Sequence, residues 1–250
     1  MPNYNLKRLL QPKSIALFGG SWIENVANQI KNSNFKGNVW PINPHRKSIA
    51  GYKCFQDISD LPGVPDAAFI GVNRTKTLEI LTKLYEVGCG GATCFAAGFS
   101  EVDKYGKQLQ KKLSKASKEM PFLGPNCYGY INYLDHIHMW PDQHGGKRVE
   151  KGVAIIAQSS NIAINLTMNT RSTPIAYVLT TGNQEKIDMS DLGLAMINDK
   201  RVTAIGIYIE GFKDIKKFER MAFSALRSNI PIVVLKSGKT DLSKKQSFSH

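Results

Sequence analysis

One stretch leaves this chain few options: Val153-Ala154-Ile155-Ile156-Ala157-Gln158-Ser159-Ser160-Asn161-Ile162-Ala163-Ile164-Asn165-Leu166. It begins as an unbroken apolar run of strand length, turns polar at Gln158 to Asn161, and becomes apolar again at Ile162, Ile164 and Leu166. That pattern predicts a buried parallel strand, a tight polar turn and the start of a helix. Ser159, Ser160 and Asn161 are all good N-cap residues. A helix start of this kind offers unpaired N–H groups and the positive end of the helix dipole, a seat for phosphate or carboxylate. Taken alone, such a turn is usually an ordinary capped helix.

The same grammar recurs along the chain. Ser14–Phe18, Asn38–Asn43, Asp66–Val72, Gly91–Ala96 and Phe122–Gly124 read as strands. Helices are predicted from Glu24 to Asn32, Thr75 to Val87 and Tyr105 to Glu119. Alternating strands and helices predict a parallel sheet covered on both faces, a Rossmann-like domain. After an irregular, aromatic and histidine-bearing stretch from Tyr130 to Arg148, the alternation resumes. Val153, Ile175–Leu179, Ala204–Glu210 and Pro231–Lys236 mark strands, with helices at Asp188–Asn198 and Ile215–Ser228. This second doubly wound unit is incomplete, because no helix follows its last strand.

A nicotinamide dinucleotide is the obvious ligand for such a fold, and an NAD(P)-dependent oxidoreductase the obvious activity. Two features disfavour it. Gly19-Gly20-Ser21-Trp22-Ile23-Glu24 lacks the second and third glycines of G-x-G-x-x-G, and the second strand ends in Asn43 rather than the acidic residue that holds a ribose. The turns at the carboxyl edge of the sheet remain the expected ligand site: Gly19, Gly20 and Ser21; Asn43; Val72, Asn73 and Arg74; and Ala97 to Glu101, with Gly98 and Phe99.

Composition narrows the classes further. The net charge of +13 is compatible with nucleic acid, an anionic membrane or a polyanionic small molecule. The lysines are spread along helices (Lys104, Lys107, Lys111, Lys112, Lys115, Lys118) with no aromatic–basic RNA-binding motif. A phosphate-rich ligand therefore fits better than nucleic acid. No run is long enough to span a bilayer, and the N-terminus lacks a signal-peptide core, so a cytoplasmic protein is expected. Cys54, Cys89, Cys94 and Cys127 form no C-x-x-C pair and should be reduced. His136, His138 and His144 have no cysteine or carboxylate cluster in ligand register, so no metal site is expected. Cys127 is expected to be buried rather than nucleophilic. Tyr128, Tyr133 and Trp140 are candidates for the wall of a ligand pocket or, equally, for surface or linker packing.

The motifs, in this order, resemble the nucleoside-diphosphate-forming acyl-CoA synthetases, relatives of the succinyl-CoA synthetase alpha subunit. The first part is similar to their CoA-binding domain at Ile15–Ser21, Pro41-Ile42-Asn43-Pro44, Ala97-Gly98-Phe99-Ser100-Glu101 and Gly124-Pro125-Asn126-Cys127. The second is similar to their CoA-ligase domain at Ala157-Gln158-Ser159-Ser160, Thr181-Gly182-Asn183, Tyr208-Ile209-Glu210-Gly211 and Ser249-His250. The resemblance implies an α/β chain: residues 1–129 as a Rossmann-like CoA-binding domain, 130–148 as a linker, and 149–250 as an incomplete flavodoxin-like, succinyl-CoA synthetase-like domain. It implies CoA at the first domain's edge, and His250 as the phosphorylated histidine with Glu210 orienting it. An acyl or phosphoryl seat is implied at Asn126, Gln158, Ser159, Ser160, Asn161 and Asn183. ATP or ADP with Mg would enter only through an ATP-grasp domain or beta-type subunit that this chain lacks, and oligomers are possible in such a system. Relatives commonly have Gly where Ser160 stands. With the histidine motif ending the chain, the expectation is an N-terminal part, inactive alone. A CoA-binding regulatory module is the alternative.

Overall fold

A computed structural model of the chain describes residues 4–169 and 171–238. It opens with a single helical turn, α1 (Lys7–Leu10), then β1 (Ser14–Gly19), α2 (Ser21–Asn32) and β2 (Asn38–Ile42). A small hairpin, β3 (Ser48–Ile49) and β4 (Tyr52–Lys53), leads to β5 (Ala67–Gly71), α3 (Arg74–Glu86), β6 (Ala92–Cys94), α4 (Lys104–Ala116) and β7 (Phe122–Leu123). The first sheet is parallel, in the order β2-β1-β5-β6-β7. The interior strand β1 shows why the run Ile-Ala-Leu-Phe is apolar throughout. Successive side chains point to opposite faces, and both faces are covered. Ile15 and Leu17 pack with Ile23, Val26 and Ile30 of α2. Ala16 and Phe18 pack with Leu81 and Leu84 of α3 and with Leu109 and Leu113 of α4. Each fully buried Ile, Leu or Phe contributes about 1.5–3 kcal/mol.

The stretch expected to be an irregular linker is structured instead. It forms β8 (Tyr130–Asn132) and β9 (Ile137–Met139), an antiparallel hairpin. There follow β10 (Gly152–Ala157), α5 (Ser160–Thr167), β11 (Ile175–Thr180), α6 (Met189–Ile197), β12 (Val202–Ile209), α7 (Ile215–Arg227) and β13 (Ile232–Lys236). The second sheet runs β13-β12-β10-β11-β8-β9, with β8 antiparallel to β11 and the rest of the core parallel. The hairpin thus belongs to the second sheet, yet it also grips the first unit. The Tyr130 hydroxyl donates to the Leu9 carbonyl, and Asn132 Nδ2 donates to the Leu10 carbonyl at 3.1 Å. From α2, Gln29 Nε2 reaches the Asp142 carbonyl at 2.7 Å, and the hydroxyl of Ser33, which follows the helix, reaches the His136 carbonyl at 2.6 Å. Its strands escape detection in the sequence because each is three residues long, too short for a periodic signal.

Both sheets reverse their strand order beside their first parallel strand, between β1 and β5 and between β10 and β12. Such a switch point opens a crevice at the carboxyl ends of the strands. The two units meet through backbone. Asn183 and Glu185, in the loop after β11, donate their N–H groups to Pro125 and Gly124 carbonyls, both at 2.9 Å. Gly182, just before Asn183, has φ +53°, and a Cβ there would lie 2.4 Å from the Asn126 and Pro125 carbonyl oxygens. Only glycine permits this approach.

Candidate functional site

At the first switch point, Gly19 ends β1 with φ +144°, and a Cβ would stand 2.5 Å from the Gly71 oxygen. Gly20 is the N-cap of α2, and Ser21 is its first residue. Asn43 is committed to this turn: its Nδ2 donates to the Gly19 carbonyl at 2.7 Å, and its Oδ1 accepts from His45 N at 2.9 Å. Val72, Asn73 and Arg74 follow β5 on the other side of the crevice. Asn73 caps α3, with Oδ1 accepting from Lys76 N at 3.0 Å. The Arg74 guanidinium donates to the Gly98 carbonyl and lies over the Tyr105 ring at 5.2 Å. Glu101 folds back on the same turn, accepting from Gly98 N at 2.7 Å and Phe99 N at 3.1 Å. The Phe99 side chain is fully buried in the core, so only its backbone is available to a ligand.

At the second switch point, Ser159 is the N-cap of α5 and Ser160 its first residue; the Ser159 side chain makes no capping bond. Gln158 spans the switch. Its Oε1 accepts from Glu210 N at 2.9 Å and from Gly211 N at 3.1 Å, tying the end of β10 to the end of β12. Lys236 Nζ donates to the Glu210 carbonyl at 2.7 Å.

A cleft of about 850 Å³ joins the two edges. It is lined from the second unit by Gln158, Ser159, Ser160, Asn161, Asn183 and Glu210, and from the first by Glu101 and Asn126. The sequence-predicted acyl or phosphoryl residues are therefore gathered, whereas Gly19 to Ser21, Asn43 and the 72–74 turn sit at the neighbouring crevice outside this cleft. His250 lies outside the described residues. Asn183 is the hinge of the junction: its Nδ2 donates to Glu101 Oε2 at 2.6 Å and to Gln110 Oε1 at 2.9 Å. Gln110 in turn accepts from Ser100 N at 3.3 Å and donates to Glu185 Oε2 at 2.8 Å.

Sequence reasoning missed the α4 side of the cleft. Lys107, Gln110 and Lys111 line it, where the lysine-rich helix reads as a solvated face. A signal was present: Gln110 falls on the apolar stripe with Gly106, Leu109 and Leu113 and is buried with them. A polar residue on a buried stripe needs partners. Of the aromatic candidates, Tyr133 and Trp140 are buried, and only Tyr128 reaches the cleft. Cys127 is fully buried, with Sγ 3.2 Å from the Thr180 carbonyl oxygen. Burial pushes its thiol up to about 11, which leaves no thiolate near neutral pH. His138 and His144 are stacked edge to face, with His144 Nε2 3.2 Å from His138 Nδ1 and His144 Nδ1 3.0 Å from the Tyr133 hydroxyl. Among the described residues, no three or more His, Cys, Asp or Glu gather as a metal site would require, and no helix is long and apolar enough to cross a membrane.

Comparison with known proteins agrees with this geometry. Residues 13–133 match the family described as CoA binding domain, and residues 150–250 match the succinyl-CoA ligase like flavodoxin domain. The chain is 33% identical to an ADP-forming acetate–CoA ligase of Methanocaldococcus jannaschii, over 99% of this chain and 35% of that protein. It is 28% identical to the alpha subunit of ADP-forming acetate–CoA ligase II of Pyrococcus furiosus, over 98% of this chain and 54% of the subunit. The apo structure of a dinucleotide forming acetyl-coenzyme A synthetase 1 of Ca. Korarchaeum cryptofilum superposes with a TM-score of 0.88 at 29% identity, covering 98% of this chain and 55% of that one. The chain thus spans between about a third and somewhat over half the length of these relatives. The chain therefore joins a unit of the CoA binding domain family to a unit of the succinyl-CoA ligase like flavodoxin domain family, and along nearly its whole length it is similar to ADP-forming acetate–CoA ligases.

Proposed function

We propose that this chain is the CoA-binding and phosphoryl-relay portion of an enzyme that interconverts carboxylate, CoA and ATP with acyl-CoA, ADP and phosphate. The observation that carries this reading is a cleft that joins the second sheet's switch point to the 98–101 turn and α4 of the first unit, with the first sheet's own switch point at the neighbouring crevice. A thiol bound on one sheet then has a route to an anion held on the other. In this reading CoA is a substrate. It lies along the Gly19–Ser21 turn, Asn43, the 72–74 turn and the backbone of the 98–101 turn. The use of Asn43 Nδ2 on the Gly19 carbonyl argues against a dinucleotide ribose at that point.

The acyl phosphate takes the other side, against the N–H groups at the start of α5, where the helix dipole favours its charge. The thiolate sulfur attacks the acyl carbon. The C–S bond forms, the bond to the phosphate oxygen breaks, and phosphate leaves with that electron pair. His250 is the proposed relay, carrying a phosphoryl group between the acyl site and a nucleotide. Neutral imidazole is a competent nucleophile near pH 7. Glu210, whose backbone N–H is held by Gln158, orients the ring by accepting from the nitrogen opposite the phosphoryl group. ATP or ADP with Mg would be bound by an ATP-grasp domain or beta-type subunit acting with these residues.

Titration calorimetry of the chain with CoA and with NAD tests the reading, with CoA binding and NAD not. No CoA binding by folded protein, or NAD binding of comparable affinity, overturns it. With a nucleotide-binding partner and labelled ATP, acid-labile phosphate should appear on His250 and vanish in His250→Ala. Label on another residue would refute the relay assignment.

A further inference from the structure

Three aromatic side chains form a row at the carboxyl edge of the first sheet, and of them only Tyr128 has been placed above, at the cleft. Trp22 stands directly after the Gly19–Ser21 turn, in the first turn of α2, and is 45% exposed. Its ring lies 4.8 Å from that of Phe95, which follows β6. The Phe95 ring lies 5.5 Å from that of Tyr128. Tyr128 lines the cleft together with Ser159, Ser160 and Glu210. The row is held from below. Phe69, fully buried in β5, touches Phe95 at 5.7 Å, and buried Trp140 touches Tyr128 at 5.5 Å.

A single exposed tryptophan is ordinary on a protein surface, and a contiguous exposed apolar patch is not. Here Trp22 continues a half-buried, rigidly backed line of rings that starts at one proposed binding turn and ends in the other. We propose that this row is the track for the uncharged arm of CoA. The arm between the nucleotide and the thiol is long, carries two amides and a branched apolar segment, and bears no charge of its own. It requires a surface that takes methyl and methylene groups on aromatic faces, whereas the phosphates require N–H groups and cations. The molecule offers those two kinds of surface in that order, the glycine turn first and the rings after it. The occupant follows from this continuity: Trp22 adjoins the turn proposed for the nucleotide end, and Tyr128 opens where the thiol must arrive.

This inference rests on the proposed CoA reading, and the test separates the two. Calorimetry is run on the whole chain with CoA and with adenosine 3′,5′-bisphosphate, which keeps the nucleotide and lacks the arm. Trp22→Ala and Tyr128→Ala should each weaken CoA about tenfold, the scale of one lost aromatic contact. Affinity for the bisphosphate should stay within about twofold of wild type in both. Trp22→Phe should recover most of the loss. Thermal melting establishes that each variant is folded; if Tyr128→Ala is not, exposed Trp22 carries the test alone. Equal losses for both ligands, or no loss for either, overturn the track. A wild-type chain that binds neither ligand overturns the CoA reading itself.

Discussion

At the scale of single residues, His138 sits in an environment far from that of the free amino acid. Burial in the β9 hairpin, with smaller repulsion from His144 and His136, lowers its pKa from 6.5 to about 3. His144 is lowered too, by burial. A depressed histidine stays neutral in the folded chain while its unfolded counterpart takes up a proton below pH 6.5. Its contribution is therefore complete above that pH and is lost as pH falls from 6.5 toward the folded value. The loss should approach about 1.4 kcal/mol per pH unit for one such group. Urea unfolding at pH 7, 6, 5 and 4.5 should give a falling stability, and His138→Gln should flatten that dependence. An unchanged slope in the variant would assign the acid sensitivity elsewhere. None of this was legible in the sequence, where His136, His138 and His144 are merely close in number. His138 and His144 each pack against the ring of Tyr133, at 5.4 Å, which sits in the second sheet's core.

At the scale of elements, the junction between the 98–101 turn, α4 and the loop after β11 is closed by side chains rather than by a strand pair. Asn183 and Gln110 share one hydrogen bond and between them touch Glu101, Ser100 and Glu185. Residues in one such network are energetically coupled. Gln110→Ala and Asn183→Ala should each destabilise by about 1 kcal/mol. The double variant should fall short of the sum by about 0.5 kcal/mol or more. Strict additivity in urea unfolding would mean the network is not cooperative.

The longer elements were readable because β1, β5, β10, β11 and β12 are apolar runs between turn residues, and α2 and α4 carry helical stripes. The strand ends moved by one or two residues, as at β2, which stops at Ile42 before Asn43. What could not be read was which loops meet. The roles of Asn126, Asn183 and Glu210 as neighbours came from the resemblance, since nothing local in those motifs says that the second sheet folds its edge toward the first. Gln110 carried a local signal, a polar residue on a buried stripe, but its partners lie up to 75 residues away.

At the scale of the whole molecule, the two sheets should not unfold separately. The β8–β9 hairpin pairs with β11 in the second sheet while bonding to the end of α1 and the C-terminal part of α2 in the first. Arg201, just before β12, grips the hairpin turn through Asp135 with two bonds, at 2.7 and 2.9 Å. Calorimetric and van't Hoff enthalpies should agree in a single transition, despite two sheets and two family matches. Two resolved transitions would show that the hairpin does not couple the halves.

That hairpin also bears on how such a chain can be inherited or recombined. The family boundary falls close by, at residue 133, and inspection of the sequence would place a splice at Gly129. A splice there keeps β8 with β11 but withdraws the carbonyl acceptors that Gln29 and Ser33 use. Swapping the second half for a relative's would leave these donors of the first half unmet, and a cut after β8 would also bare the edge of β11. The hairpin must therefore travel with matched surfaces on both sides.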